Sequence, residues 1–379
     1  MVADWVGQCG RAIGIFACAA TFACGHATSV ETASSIAAGG SGGSAEVDAV
    51  AGRTTASESP IIAGGAPAVV GAAGGSAKPA EDRWPHCPGV EPVSLAAAES
   101  ASWSAVTVDE KAVYFTAPGG MISRITKNGG ELRALQRADA TGQLAVDANN
   151  VYIPGYTFWS VPKDGGDLRR IILNNTALGV VSVNSGVYFT NWGVSQTSLQ
   201  RWSSEGGIEE IERFNSELNA SFLVTDSEYI YVAAMATAPV GEVHRVRLSD
   251  GTVEPLAMVQ IVRGIAVGGG YLYFSEETTR SVKRIRLSDQ VIENVRTFDD
   301  YPTGLAVDQD YVYLSLQVLP KGEHVYDGHL VRFRADGSEL CELAAPANYG
   351  SSLVVDSSGL YWLGGGGLWK LAAGSGTPP

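Results

Sequence analysis

Leu305–Leu314 reads LAVDQDYVYL, and from Leu330 the chain reads LVRFRADGSELCEL. The first stretch is an apolar run ending on an aspartate, a short break, and a run centred on a tyrosine. The second is an alternating run carrying arginines, an Asp-Gly turn, and another alternating run. Short runs rich in Val, Ile, Tyr and Phe, separated by Asp, Asn and Gly, are strand and hairpin signals. The same text recurs as AVTVDEKAVYF (Ala105–Phe115), LAVDANNVYI (Leu144–Ile153), VSVNSGVYF (Val181–Phe189), LVTDSEYIYV (Leu223–Val232), IAVGGGYLYF (Ile265–Phe274) and LVVDSSGLYWL (Leu353–Leu363). Its marker tyrosines are Tyr114, Tyr152, Tyr188, Tyr231, Tyr273, Tyr313 and Tyr361, spaced 36 to 48 residues apart. A repeat near 40 residues with four short strands per copy predicts a β-propeller, in which each blade buries its faces only against its neighbours. The fold class is therefore all-β: a seven-bladed propeller of four-stranded antiparallel blades. A six-bladed ring is the alternative, and it leaves one clear copy without a place.

The last copy stops after a third strand, LWKLAAGSG (Leu368–Gly376). The missing outer strand has a candidate upstream, PVSLA (Pro92–Ala96), which would close the ring and remove an open edge. Two of the five cysteines, Cys87 and Cys341, lie in the folded part. Cys341 falls in the outer strand of the sixth copy and Cys87 just before the closing strand. Adjacent outer strands make a Cys87–Cys341 bridge geometrically plausible, and an exported protein would permit it.

The first hundred residues have a different composition. Arg11 precedes an apolar stretch, Ala12–Ala23, too short to span a bilayer and suited to the apolar part of a signal peptide. It ends in Phe-Ala-Cys-Gly, which resembles a lipoprotein cleavage box, with Thr21 where leucine is usual. The reading expects a signal peptide and lipobox over 1–24 with Cys24 lipidated, a disordered Gly/Ala/Ser-rich tether over 25–84, and the propeller over 85–379. A plain secretory signal is the alternative, leaving a soluble periplasmic or secreted protein. The formal net charge of −14 argues against nucleic acid as a partner.

Loop length gives the ring a direction. In a four-stranded antiparallel blade, the turns after the first and third strands share one face, and those after the second and fourth share the other. The first set is uniformly tight, with Asp, Asn and Gly in ordinary turn positions. Its recurring aspartate is read as a turn former ahead of a metal ligand. The second set is long and irregular at 136–143, 213–221, 234–242, 296–303, 316–328 and 344–352. Long loops on a rigid scaffold tend to carry binding residues. Trp103, Tyr156, Trp192, Asp299, Asp300, Tyr301, His324, Asp327 and Tyr349 are the candidates, with Tyr326 and His329 nearby. Aromatics beside carboxylates suit a protein, peptide or sugar ligand.

Catalytic patterns are weak. His324 and His329 share the loop KGEHVYDGH (Lys321–His329) with Glu323 and Asp327, a spacing too loose to specify a metal. No GxSxG, phosphate loop or HExxH is present. No cofactor and no resident metal are expected. An enzyme would need His324, His329 or Glu276 to converge with an arginine such as Arg263 at the mouth of the central channel.

LAVDANNVYI, VYFTNWG (Val187–Gly193) with LQRW, and LAVDQDYVYL with LVRFRADG resemble the YWTD/NHL/TolB-like propellers. The likeness runs from Trp103 to Leu371 and implies the fold. The aspartate that ends the YWTD motif is missing, since the second strands end Phe115-Thr116, Phe189-Thr190-Asn191 and Phe274-Ser275-Glu276. Calcium or receptor functions therefore do not carry over. As a whole the chain is similar to bacterial lipoproteins, of the kind common in myxobacteria, that pair a low-complexity tether with a propeller. The reading expects a monomeric, non-enzymatic binding or scaffold protein, lipid-anchored at the outer membrane or cell surface. The alternative is a propeller lyase or glycan-acting enzyme.

Overall fold

The computed structural model describes residues 84–97, 105–140, 142–172, 176–183, 186–192, 197–214, 218–236, 241–318, 327–348, 352–364 and 367–373. Of 118, 192, 218–221, 235–236, 327 and 344–348 only the backbone is described. Among these residues there are seven four-stranded antiparallel sheets, the blades of a seven-bladed β-propeller. The innermost strands of blades 1 to 7 are Val106–Val108, Ala145–Val146, Thr176–Val183, Leu218–Thr225, Val262–Gly268, Tyr301–Val307 and Leu353–Asp356. In blades 1 to 6 the strands follow one another outward in chain order.

Blade 7 takes its outermost strand from upstream. Val93–Ala97 pairs antiparallel with Gly367–Ala372, placing Val93 opposite Lys370 and Ala97 opposite Gly367. The expected closing strand is present, one residue later than the sequence placed it. Just before it, the Cys87 amide donates to Glu342 O and the Glu342 amide to Pro85 O, both at 2.9 Å. This adds a short parallel edge to the outer strand of blade 6, Cys341–Asn348. Cys87 and Cys341 are disulfide-bonded there, with Cα atoms 4.9 Å apart. The upstream segment thus crosses the seam between blades 6 and 7 and is held on both.

Packing between blades follows from the two-residue alternation of a strand. The marker tyrosine points toward the next blade, while the residues on either side of it point back. Tyr114 packs with Val151 and Ile153 of blade 2. Tyr152 packs with Val187 and Phe189 of blade 3, and Tyr188 with Ile230 and Val232 of blade 4. The series runs on round the ring until Tyr361 of blade 7 meets Val113 and Phe115 of blade 1. Burying a side chain of this size stabilises by about 1.5–3 kcal/mol, so each seam holds several such contributions.

The tyrosine hydroxyl is the polar end of each wedge, and it meets the aspartate of the first turn. Asp226 Oδ1 accepts the amides of Glu228 and Tyr229 at 2.8 Å, and its Oδ2 accepts the Tyr231 hydroxyl at 2.8 Å. Asp109 with Tyr114, Asp147 with Tyr152 and Asp308 with Tyr313 repeat the arrangement at 2.7–3.0 Å. The aspartates are turn formers, as expected, and also the acceptors that let a tyrosine hydroxyl be buried. The signal for this second role was the fixed spacing of five residues from Asp to Tyr.

Lysines add bonds across the seams from blade 7 to blade 2. Lys163 of blade 2 reaches Asp109 of blade 1 at 2.6 Å, and Lys127 of blade 1 pairs with Asp356 of blade 7. Burial opposes ionisation of Asp109. The Lys163 ammonium, the amides of Lys111 and Ala112 and the Tyr114 hydroxyl outweigh it and hold the carboxyl down at about 2. Asp356 is lowered in the same way, with Lys127 and Ser358 overcoming burial. An aspartate held below its unfolded value of 3.8 adds stability that is complete above that value and is lost as pH falls through the folded one. The urea midpoint of the wild type is therefore expected to drop between pH 5.5 and pH 2.5. Asp109→Asn should lower the midpoint at pH 5.5 and flatten that drop; an unchanged slope would show that Asp109 contributes nothing to it.

Candidate binding face

The tight-turn face carries Asx turns and Arg–Tyr stacks, several of whose arginines are ion-paired on the same blade. Arg284 lies over Tyr271 with its Cζ 4.1 Å from the ring centre and donates to Glu293 at 2.7 Å. Arg245 over Tyr229 is bound to Glu254 in the same fashion.

The opposite face, carrying the long connections, is built differently. Tyr156 stands 46% exposed in the turn between the second and third strands of blade 2. Between blades 5 and 6, the exposed Arg280 holds the rim in place. Its guanidinium donates to Asp299 O at 2.8 Å and to the Tyr301 hydroxyl at 3.0 Å. It also stacks on the Tyr301 ring at 4.5 Å. Asp299 is exposed beside it, whereas Asp300 turns inward and is 7% exposed. This places Tyr156, Asp299 and Tyr301 at the surface of the expected face and Asp300 beneath it. For Trp192 and Asp327 only the backbone is described, at strand ends on that face. Trp103, His324, Tyr326 and Tyr349 lie outside the described residues, as does Cys24.

The residues an enzyme would need are each engaged by a different partner. Glu276 of blade 5 is 2% exposed. It accepts the Gln260 amide at 3.0 Å, the Thr279 hydroxyl at 2.7 Å and the Lys283 ammonium at 2.5 Å. Burial opposes its ionisation, but Lys283 and the other donors win and its carboxyl is lowered. Arg263 is ion-paired to Glu277. His329 sits on the third strand of blade 6 and bonds outward, its Nδ1 2.6 Å from Glu342 Oε1 on the outer strand. Trp84 meets its ring edge-on at 5.1 Å. Glu276 and Arg263 are neighbours at one end of blade 5, where Val262 faces Glu276, but the first is held by Lys283 and the second by Glu277; His329 is paired with Glu342 on blade 6. Among the described residues, no group of three or more His, Cys, Asp or Glu could hold a metal.

A second bond recurs in blades 1, 3 and 6. Two residues after the marker tyrosine, a hydroxyl tucks under the kink at the start of the innermost strand. Thr116 Oγ1 accepts the Ala105 amide at 2.9 Å, Thr190 the Gly179 amide at 2.9 Å, and Ser315 the Gly304 amide at 2.7 Å. Innermost strands crowd together here, so that a Cβ on Gly264 would lie 2.8 Å from Thr303 O. Blades 2, 4 and 7 carry Pro154, Ala233 and Leu363 at that position, and in blade 2 the segment 142–144 runs along the innermost strands of blades 3 and 4. Gln143 reaches the innermost strand of blade 4, where its Oε1 accepts the Leu223 amide at 3.1 Å.

No protein-family model matches the sequence, and no curated protein matches it. Solved structures match by fold. The computationally designed Ika8 protein aligns over 74% of this chain and 99% of its own, with a TM-score of 0.51 at 11% identity. The Neurospora crassa Pan2 WD40 domain aligns over 74% of this chain and 90% of its own, with a TM-score of 0.52 at 10% identity. At such identities the likeness shows the fold alone, and the chain is a β-propeller.

Proposed function

We propose that this propeller is a binding or scaffold protein without chemistry of its own, which engages a protein, peptide or glycan of the bacterial cell envelope through its long-loop face. The observation that carries the reading is the asymmetry of the two faces. One carries tight turns with arginines paired to acids of the same blade; the other carries the long connections and presents Tyr156 and the Arg280–Tyr301 stack to solvent. Rigid aromatic and arginine side chains are the residue types that dominate binding energies at interfaces. Glu276 is held by Lys283, Arg263 by Glu277 and His329 by Glu342, and no specific observation favours the lyase or glycan-acting alternative. The N-terminal sequence completes the proposal. Cys24 carries a lipid, residues 25–84 space the ring from the outer membrane or cell surface, and the protein acts as a monomer.

The test is affinity capture from envelope extracts with the wild type and with Tyr156→Ser/Arg280→Ala/Tyr301→Ser. Two lost anchors of about 2 kcal/mol each correspond to roughly a thousandfold in affinity. A partner recovered by the wild type and lost by the triple variant supports the face. Equal recovery by both would remove it.

A further inference from the structure

Blade 2 lacks, at one point, a pair of bonds that blade 1 makes between its two inner strands, and Pro154 removes both. In blade 1 the Thr116 amide donates to Ala105 O at 3.0 Å while the Ala105 amide donates to Thr116 Oγ1. This pair of bonds holds the entry of the innermost strand against the second strand. Register fixes the counterparts, because Thr107 faces Tyr114 and Ala145 faces Tyr152. Two residues along, Gln143 stands for Ala105 and Pro154 for Thr116. Proline has neither an amide hydrogen nor a hydroxyl, so both bonds are lost and the ladder ends. The innermost strand of blade 2 is two residues long, and that of blade 1 three.

The released segment lies in the channel. Gly142 passes so close to the innermost strand of blade 3 that a Cβ there would stand 1.8 Å from Leu178 O. Beyond it, Gln143 meets the open edge of blade 4. Its Oε1 accepts the Leu223 amide at 3.1 Å and its Nε2 donates to Leu223 O at 3.3 Å. One side-chain amide thus satisfies both backbone groups of one residue, 80 positions away in sequence. Only a group with a donor beside an acceptor can do this. A carboxylate offers acceptors alone, and an ammonium donors alone.

We propose that the Leu223 backbone is a carboxamide-reading position in the channel wall. Gln143 occupies it as an internal ligand, standing in for the side chain of an asparagine or glutamine in a partner peptide. The position uses the channel wall and none of the rim residues, so it stands or falls apart from the rim.

The test is hydrogen exchange at the Leu223 amide, read by NMR, with N-acetylglutamine methylamide as the probe and N-acetylglutamate methylamide as its control. The wild type should protect Leu223, and Gln143→Ala should raise its exchange at least tenfold. Millimolar glutamine probe should restore protection in the variant, at least tenfold more strongly than the glutamate control and than its effect on the wild type. Protection unchanged in the variant, no response to the probe, or an equal response to both compounds would overturn the proposal. Pro154→Thr is the second variant. It keeps Gln143 and supplies the missing amide and hydroxyl, so it should draw 142–144 back to blade 2 and bind the glutamine probe as Gln143→Ala does. A Pro154→Thr protein that ignores the probe would count equally against it.

Discussion

Replacing Cys87 and Cys341 together by serine is expected to lower the unfolding free energy by about 3–5 kcal/mol, one of the two largest effects foreseen for small changes. The bond joins positions 254 residues apart, so it removes a great deal of freedom from the unfolded chain. The folded ring keeps its other closures. The Val93–Ala97 strand stays paired, Tyr361 still packs on Phe115, and Lys127 still reaches Asp356. The variant should therefore fold to the same ring with a melting temperature lower by about 10 °C. Calorimetry of the serine variant, and of the wild type with and without a reducing dithiol, checks this. A melting temperature unchanged by reduction would mean that the bond adds nothing to closure.

The second large effect belongs to the aspartate–tyrosine wedge. Asp226→Ala removes the acceptor of two backbone amides and strands the hydroxyl of Tyr231, which is 1% exposed. Leaving buried donors unpaired costs about 1–3 kcal/mol each, so a loss of about 3–4 kcal/mol is expected. Tyr231→Phe removes the stranded group and should cost only about 1 kcal/mol. The double variant should then be more stable than the sum of the two predicts, by about 1–2 kcal/mol of coupling. Strict additivity in denaturant unfolding would show that the hydroxyl and the carboxylate are independent.

The repeats made most of this architecture legible in advance. Blade number, strand count, the upstream closing strand and the cysteine pair all follow from copies that can be aligned on one tyrosine. So does the separation of tight turns from long loops, because strand parity alone assigns each turn to a face. Two repeated bonds were visible as text without being read. The Asp-to-Tyr spacing of five residues encodes the buried hydroxyl bond, and the Thr or Ser two residues after the tyrosine encodes the stitch to the innermost strand. Pro154 with Gln143 was not legible. Its meaning depends on how close the innermost strands of blades 3 and 4 lie to the channel axis, a distance no single repeat contains. The rim was legible only as composition: Asp299 and Asp300 are neighbours of the same type, yet one is exposed and the other buried.

The most direct test of a one-faced binder is covalent footprinting of the propeller with its captured envelope partner. Tyr156 and Tyr301 report on the long-loop face, and the exposed Leu132 and Ile208 report on the tight-turn ends of the outer strands. Bound partner should protect Tyr156 and Tyr301 while leaving Leu132 and Ile208 as reactive as in the free ring. Protection of Leu132 and Ile208 with Tyr156 and Tyr301 still reactive would contradict the account and assign binding to the opposite side.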